Sequence, residues 1–504
     1  MPSRQHVGIV LGPLFFLGIL ASEPGGLTSA QAAVLAGTAW VVVWWVTEAI
    51  PIPVTSLLPI VVFPITGAMT VSGTTAPYAD PIVFLLLGGF LVALAIERWN
   101  LHHRLSLHVI SLAGTDGRFL VLGFMVATGV LSMWISNTAT AMMMVPIAAA
   151  VIVELTTIGG RRTPPIDREL LTEPNDPLDP AGELLHQIDE DPADLPNTRF
   201  GMALMLAIAY GASIGGAATL IGSPPNAVMA GIAENELGVQ IGFLEWMLVG
   251  VPLAVIFLGI AWVILVLTLR PQIEREPGRA DVIDRQLREL GQMTRGERRV
   301  LGVFALVAGG WILRPFVIEP VFPFVTDAMI AIAGAILVFL VPVDGERLLD
   351  WEYTSRVPWG VLLLLGAGFS IARGFQVTDL DDVVAAYIAG FGVTELAGMV
   401  ILLCTTVMIL TNVTSNTATA ALFMPIAISI ATAIGVAPLT LMATAAFAAS
   451  FAFILPVATA PNAIIFGTGY MTIPEMAKIG ALLTLPAIIT IAAVALWWLP
   501  IVWP

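Results

Sequence analysis

Two ten-residue stretches decide how this chain folds: LSMWISNTAT at 131–140 and LTNVTSNTAT at 410–419. Each interrupts an apolar run, 119–153 and 397–435, that is too long for one crossing of about 30 Å of hydrocarbon by roughly 20 helical residues. The interruptions are the polar triplets Ser136-Asn137-Thr138 and Ser415-Asn416-Thr417, near the middle of each run. Both runs therefore read as helical hairpins that enter and leave on one side. An unpaired backbone group in hydrocarbon costs several kcal/mol, so a polar break survives there only if something binds at it.

The rest of the chain agrees with a bilayer as solvent. Of 504 residues, 58% are hydrophobic and 11% charged, with a mean hydropathy of +0.92, against about 45–50% and about 25% in soluble domains. This is a polytopic membrane protein. With 21 basic and 36 acidic residues the net charge is −15, the wrong sign for a nucleic-acid binder. A lone Cys404 excludes an intrachain disulfide framework and a cysteine zinc cluster. Lys478 is the only lysine beside 20 arginines, which fits a high-GC or salt-adapted genome rather than a function.

Eleven runs are long enough to cross: 7–22, 31–50, 53–69, 81–99, 199–221, 243–269, 299–318, 326–342, 357–374, 439–458 and 475–499. Segment 270–299 carries eight arginines and 101–118 carries Arg104 and Arg118, so the positive-inside rule places both in the cytoplasm. With eleven crossings and two hairpins, the N-terminus falls inside and the C-terminus outside. Reading 7–22 as a secretory signal would leave ten crossings and reverse that logic. Between 155 and 198 lie ten acidic residues, three arginines and many prolines, without an apolar period. This is a cytoplasmic insert whose composition favours a solvated loop over a domain; a tolerated insertion and a regulatory or partner site both remain open.

The order of parts repeats. PIVFLLLGGFLVALAIE at 81–97 resembles PWGVLLLLGAGFSIARG at 358–374, and each precedes a hairpin with the pentapeptide Ser-Asn-Thr-Ala-Thr. Each hairpin precedes a span broken at Pro-Asn, Pro225-Asn226 and Pro461-Asn462. Asn137 and Asn226 are 89 residues apart and Asn416 and Asn462 are 46 apart, a difference of 43 that the 44-residue acidic insert explains. The first hairpin opens from the cytoplasm and the second from outside, so the halves are inverted copies. Inverted repeats with discontinuous helices are the architecture of a secondary transporter with its site near the midplane.

The chemistry of that site follows from helix ends. Ser, Asn and Thr at the tips can cap the returning helices, and proline at a first helical position needs no N–H. Four helix N-termini carrying partial positive charge suit an anion. Ser132 and Thr411, each four residues before a tip serine, supply hydroxyls beside exposed carbonyls. Oxygen ligands without carboxylates make a weak site for a hard monovalent cation such as sodium, and the repeat implies two. Glu48, Glu97, Arg314, Asp327, Arg373 and Lys478 all fall at span ends, so a buried proton relay and an intramembrane enzyme lack the residues they need. No organic cofactor is called for.

Other signals have plainer readings. His102, His103 and His108 lack a carboxylate or cysteine at ligand spacing. Gly88-Gly89, Gly366 and Gly368 read as helix packing, Met142–Met144 as apolar lining, and Trp497, Trp498 and Trp503 as interfacial anchors.

At the two tips, the IGSPPN break at 221–226 and SFAFILPVATAPNAII at 450–465, the chain resembles the divalent anion:sodium symporter family over nearly its whole length. The resemblance implies transport of dicarboxylates, citrate or sulfate by a homodimer, each protomer having a scaffold and an elevator-type transport domain. It implies scaffold at 1–80 and 243–356, transport repeats at 81–242 and 357–474, and a C-terminal helix at 475–504. Substrate would be held by Ser136, Asn137, Thr138, Ser415, Asn416 and Thr417, with Ser223 and Thr459 and the neighbouring positions Pro224 and Ala460 at the broken helices. One sodium would lie by Ser132, Ser136, Asn137 and Gly222, the other by Thr411, Thr414, Asn416 and Ala458. Threonine in both triplets favours a C4-dicarboxylate such as succinate, malate or fumarate. Ala460 stands where many relatives have proline. A sodium-independent exchanger and a sulfate or citrate carrier on the same fold are the alternatives.

Overall fold

The computed structural model describes residues 4–22, 26–114, 116–156, 199–271, 282–389 and 395–503. The expected acidic insert at 155–198 falls almost wholly outside them. The described residues are mostly helical. The sequence reads as helices and loops alone, an all-α fold, and a two-stranded antiparallel ribbon, Pro342–Val343 with Glu346–Arg347, departs from that. Its turn is Asp344-Gly345, both at positive φ, the pairing that a tight hairpin favours.

Nine helices among the described residues are long and apolar enough to cross a membrane. They include seven of the expected spans close to their predicted limits, and Val71–Arg98, which begins ten residues before the expected 81–99. The ninth, Asn416–Ile434, is instead the returning arm of the second hairpin. The expected crossing at 53–69 differs. It forms two short helices, Ile52–Thr55 and Leu58–Ile65, because Pro59 has no N–H to offer the Thr55 carbonyl. The hydroxyl of Tyr78 donates to the Ser56 carbonyl at 2.5 Å in the gap. The segment still runs alongside helix Trp359–Val377, from Pro53 against Gly360 to Met69 against Gly374, a rise of about 21 Å.

Both hairpins form where the sequence places them. The first is Gly117–Ser132 and Asn137–Thr156, the second Leu396–Thr411 and Asn416–Ile434. Both broken helices form as well: Arg199–Gly216 followed by Pro224–Leu237, and Pro438–Ser450 followed by Ala460–Gly467. They interlock reciprocally. Pro224–Leu237 packs on Asn416–Ile434 and Pro438–Ser450, while Ala460–Gly467 packs on Asn137–Thr156 and Arg199–Gly216. This exchange matches the repeat in the sequence.

The repeat also extends to an element that hydropathy did not reveal. Helix Pro81–Arg98 turns at Asn100 (φ 53°) into Leu101–Ser111, and Trp359–Val377 turns at Asp379 (φ 55°) into Leu380–Ala389. Asn and Asp tolerate this left-handed conformation better than most residues. The first of these short helices is pinned by Arg104, which pairs with Glu297 at 2.7 Å and donates to the Gly291 and Leu290 carbonyls. His102 on it is buried, and burial pushes its imidazole down to about 4, so it is neutral at pH 7. Among the described residues no group of His, Cys, Asp and Glu could hold a metal ion.

Candidate functional site

Each helix break is held open by an asparagine. Asn226 Nδ2 donates to the Gly216 carbonyl at 2.9 Å and the Thr219 carbonyl at 2.7 Å. Asn462 Nδ2 donates to the Ala452 and Leu455 carbonyls, both at 3.1 Å. Further donors satisfy the other loose carbonyls: Trp246 Nε1 reaches Ala217 O at 3.0 Å and Tyr210 Oη reaches Phe453 O at 3.3 Å. The breaks are thus structured loops in which buried side chains satisfy loosened carbonyls.

Several oxygens converge beside the first hairpin tip. One amide terminus of Asn137 lies 2.6 Å from Ser132 Oγ, 3.1 Å from Ala212 O and 3.2 Å from Gly222 O. With nitrogen at that terminus, its two hydrogens are shared among the three oxygens. With oxygen there, four oxygens meet at one point, and a cation between them resolves the repulsion. Gly216 and Gly222 permit this approach: a Cβ on Gly222 would lie 2.6 Å from Gly216 O and 2.9 Å from Ser132 O, and one on Gly216 would overlap the Asn137 amide.

The second tip has a related cluster. Thr411 Oγ1 lies 2.8 Å from both Asn416 Oδ1 and Ala449 O. One hydroxyl hydrogen serves two acceptors, so this group too has more oxygens than protons. Ser132 and Thr411 are fully buried, whereas Ser136, Asn137, Thr138, Ser415 and Asn416 are half-buried and Thr417 is buried. The cation-type oxygens therefore lie deeper than most of the tip side chains.

Not every expected residue joins these clusters. Ser136 Oγ accepts from Ala139 N at 3.3 Å, the N-cap that the sequence suggests, while Ser415 makes no side-chain cap. Thr414 turns its hydroxyl to Leu410 O and Thr419 Oγ1, at 2.8 and 2.6 Å. Ala458 is buried and donates its N–H to Leu455 O. The broken-helix N-termini also offer fewer amides than anticipated. Pro224 and Pro225 have no N–H, and Asn226 N is turned back on Ser223 O at 3.1 Å. In the second repeat Thr459 Oγ1 accepts from Asn462 N at 3.2 Å. Ala460 there is exposed and occupies the first helical position, where its N–H has no intrahelical acceptor.

Sequence reasoning missed Ala212 and Ala449, which act through carbonyls and carry no residue signal. It took Asn226 and Asn462 as break markers and overlooked their clamping role. Their identical place, three residues past the last loop residue in both repeats, was the available signal. Thr219 Oγ1, which donates to Met133 O at 2.5 Å and accepts from Gly222 N, had no such signal because its repeat mate is Leu455.

A multi-pass helical fold with paired hairpins, paired helix breaks and oxygen-rich clusters at both defines the class of membrane transporters. The chain belongs to the family described as the sodium:sulfate symporter transmembrane region, matched over residues 4–504. It is similar to the sodium-dependent dicarboxylate transporter SdcS of Staphylococcus saprophyticus, 39% identical over 506 residues covering 98% of this chain and 92% of that protein. It is equally similar to SdcS of Staphylococcus aureus strain USA300, at 39% over 507 residues, 99% of this chain and 92% of that protein. Among solved structures, the Alcanivorax borkumensis YdaH transporter shares the fold, with a TM-score of 0.57 at 14% identity, covering 88% of this chain and 90% of that one.

Proposed function

We propose that the protein is a secondary active transporter that couples inward movement of C4-dicarboxylates such as succinate, malate or fumarate to sodium. Relatives named sodium-dependent dicarboxylate transporters, 39% identical over nearly the full chain, support this reading. The observation that carries it is the convergence of Ser132 Oγ, Ala212 O and Gly222 O on one terminus of the Asn137 amide. Neutral oxygens in a buried setting bind sodium without a carboxylate. Sodium is the coupling ion, with Ser132, Asn137 and Gly222 as ligands of one ion and Thr411 and Asn416, with Ala449 O, as ligands of the other. Ser136, Thr414 and Ala458 contribute through backbone atoms.

Sodium binds first. Each cation draws the amide oxygen of Asn137 or Asn416 inward, which turns the nitrogen toward the arriving substrate carboxylate. The anion is then held by Ser136, Asn137, Thr138, Ser415, Asn416 and Thr417, by the N–H groups that open both returning helices, and by Thr459 and the Ala460 N–H, with Ser223 and Pro224 behind them. With more sodium charges than substrate charges, each net charge gains about 2.3 kcal/mol per 100 mV of membrane potential.

The chain crosses the plasma membrane eleven times, with the N-terminus inside and the C-terminus outside. The split segment Ile52–Ile65 is one of the crossings. Packing suggests a different division from the repeat boundaries at 81 and 243. Helix Pro81–Arg98 packs chiefly on Asp327–Leu340, whereas Phe243–Leu269 packs on Arg199–Gly216 and Ile473–Ala493. The fixed scaffold then comprises 4–22, 26–98 and 295–377, and the mobile body 117–156, 199–269 and 396–503, joined through Leu101–Ser111 and Leu380–Ala389. The protein works as a homodimer whose mobile bodies move elevator-fashion.

Uptake of labelled succinate into membrane vesicles tests the substrate class. External sodium should drive it, potassium should not, and excess sulfate should leave it unchanged. Inhibition by sulfate stronger than by unlabelled malate would assign the protein to the sulfate carriers.

A further inference from the structure

The two cation clusters belong to different repeats, yet one buried contact joins them. Ser223 Oγ lies 3.3 Å from Ser450 Oγ, and both residues are about fully buried, at 1% and 0% exposure. Ser223 directly follows Gly222, whose carbonyl faces Asn137. Ser450 directly follows Ala449, whose carbonyl accepts from Thr411. The hydroxyl pair is therefore one residue from a carbonyl of each cluster.

Ser450 Oγ also lies 3.1 Å from Ala446 O; with its single hydrogen on that carbonyl, Ser223 is the donor of the pair. The residue is free to do so because it makes no side-chain cap for the helix it opens. Its repeat mate Thr459 does cap its own helix, through Asn462 N. A second link runs the same way: Tyr210, two residues before Ala212, is fully buried and its hydroxyl donates to Phe453 O in the second break.

We propose that Ser450 is a positioning residue that couples the two sodium sites through Ser223, an inference that rests on the sodium-coupled reading above. A cation drawing in Gly222 O shifts Ser223, and the hydroxyl pair carries that shift to Ala449 O. Coupling of this kind is reciprocal, so the sites fill cooperatively whichever ion binds first.

The test is a sodium titration of S450A and of Y210F beside the parent protein, read both as succinate uptake and as thermal stabilisation by sodium without substrate. The parent should show a Hill coefficient above 1. In S450A it should fall toward 1, with the second sodium bound about fivefold more weakly, the worth of one neutral hydrogen bond, and with the succinate KM at saturating sodium unchanged within twofold. Y210F should move in the same direction and carries the test if S450A fails to fold. A folded S450A or Y210F with the parent's Hill coefficient overturns the proposal. Absence of any sodium effect in the parent overturns the proposal and the sodium-coupled reading together.

Discussion

Asn226 and Asn462 perform the same task 236 positions apart: each donates its side-chain amide to the carbonyls ten and seven residues before it. Both are fully buried. The equality of these spacings is the most direct structural sign of the repeat, since the two breaks share little else in sequence. It also shows why a break in the middle of an apolar bundle is stable. Two loose carbonyls are satisfied by one side chain that needs no water.

Removal of either clamp should therefore be severe. N226A and N462A each leave two buried carbonyls unpaired, at about 1–3 kcal/mol apiece. The melting temperature of the purified protein should fall, and sodium should no longer raise it. N226D should be worse than N226A, because a buried carboxylate cannot donate to those carbonyls. A variant with the parent's melting temperature would show that the clamp is dispensable.

S132A and T411A should separate ion binding from substrate binding. Each removes one cation oxygen and should raise the sodium concentration for half-maximal uptake about tenfold, as expected for one strong contact to a charge. The succinate KM at saturating sodium should stay within twofold. The double variant should be inactive. A sodium-independent exchanger would retain its exchange rate in the same double variant.

The two cation clusters should differ in tolerance of a methyl group. G222A places a Cβ at 2.6 Å from Gly216 O, too close for either backbone to absorb, and should abolish both transport and sodium stabilisation. The corresponding position in the second repeat is already Ala458, so A458G should retain both. Equal effects in the two variants would mean that the clusters are not arranged as described.

Ala460 gives the second broken helix an N–H that Pro224 denies to the first. A460P deletes that donor at an exposed site where the ring meets little, and should raise the succinate KM about tenfold, the worth of a hydrogen bond to a carboxylate. Sodium half-saturation should not move. A460G keeps the N–H and should resemble the parent, so matching defects in A460P and A460G would exclude the backbone donor.

Much of this was legible in the residues. Polar triplets inside runs too long to cross once can only be tips, and both hairpins lie within two or three residues of the predicted limits. The repeat was legible because the same pentapeptide occurs twice at matching places. Hydropathy could not show that 53–69 is split, since the cause is one missing N–H at Pro59 and not a loss of apolar character. Nor could it show the turned helices after Asn100 and Asp379, where one left-handed residue redirects the chain and hydropathy records no direction. At the site, side-chain oxygens were found and carbonyls were not. Ala212 and Ala449 are ordinary alanines whose importance comes entirely from where the backbone stops being helical.

The most direct test of sodium-driven dicarboxylate symport uses purified protein in proteoliposomes. Uptake of labelled succinate would be followed under an inward sodium gradient, beside potassium-only vesicles preloaded with unlabelled succinate. Symport predicts uptake with the sodium gradient into empty vesicles and none in potassium. Uptake confined to the preloaded potassium vesicles would contradict it, identify an exchanger, and remove the role assigned to the oxygens around Asn137 and Asn416.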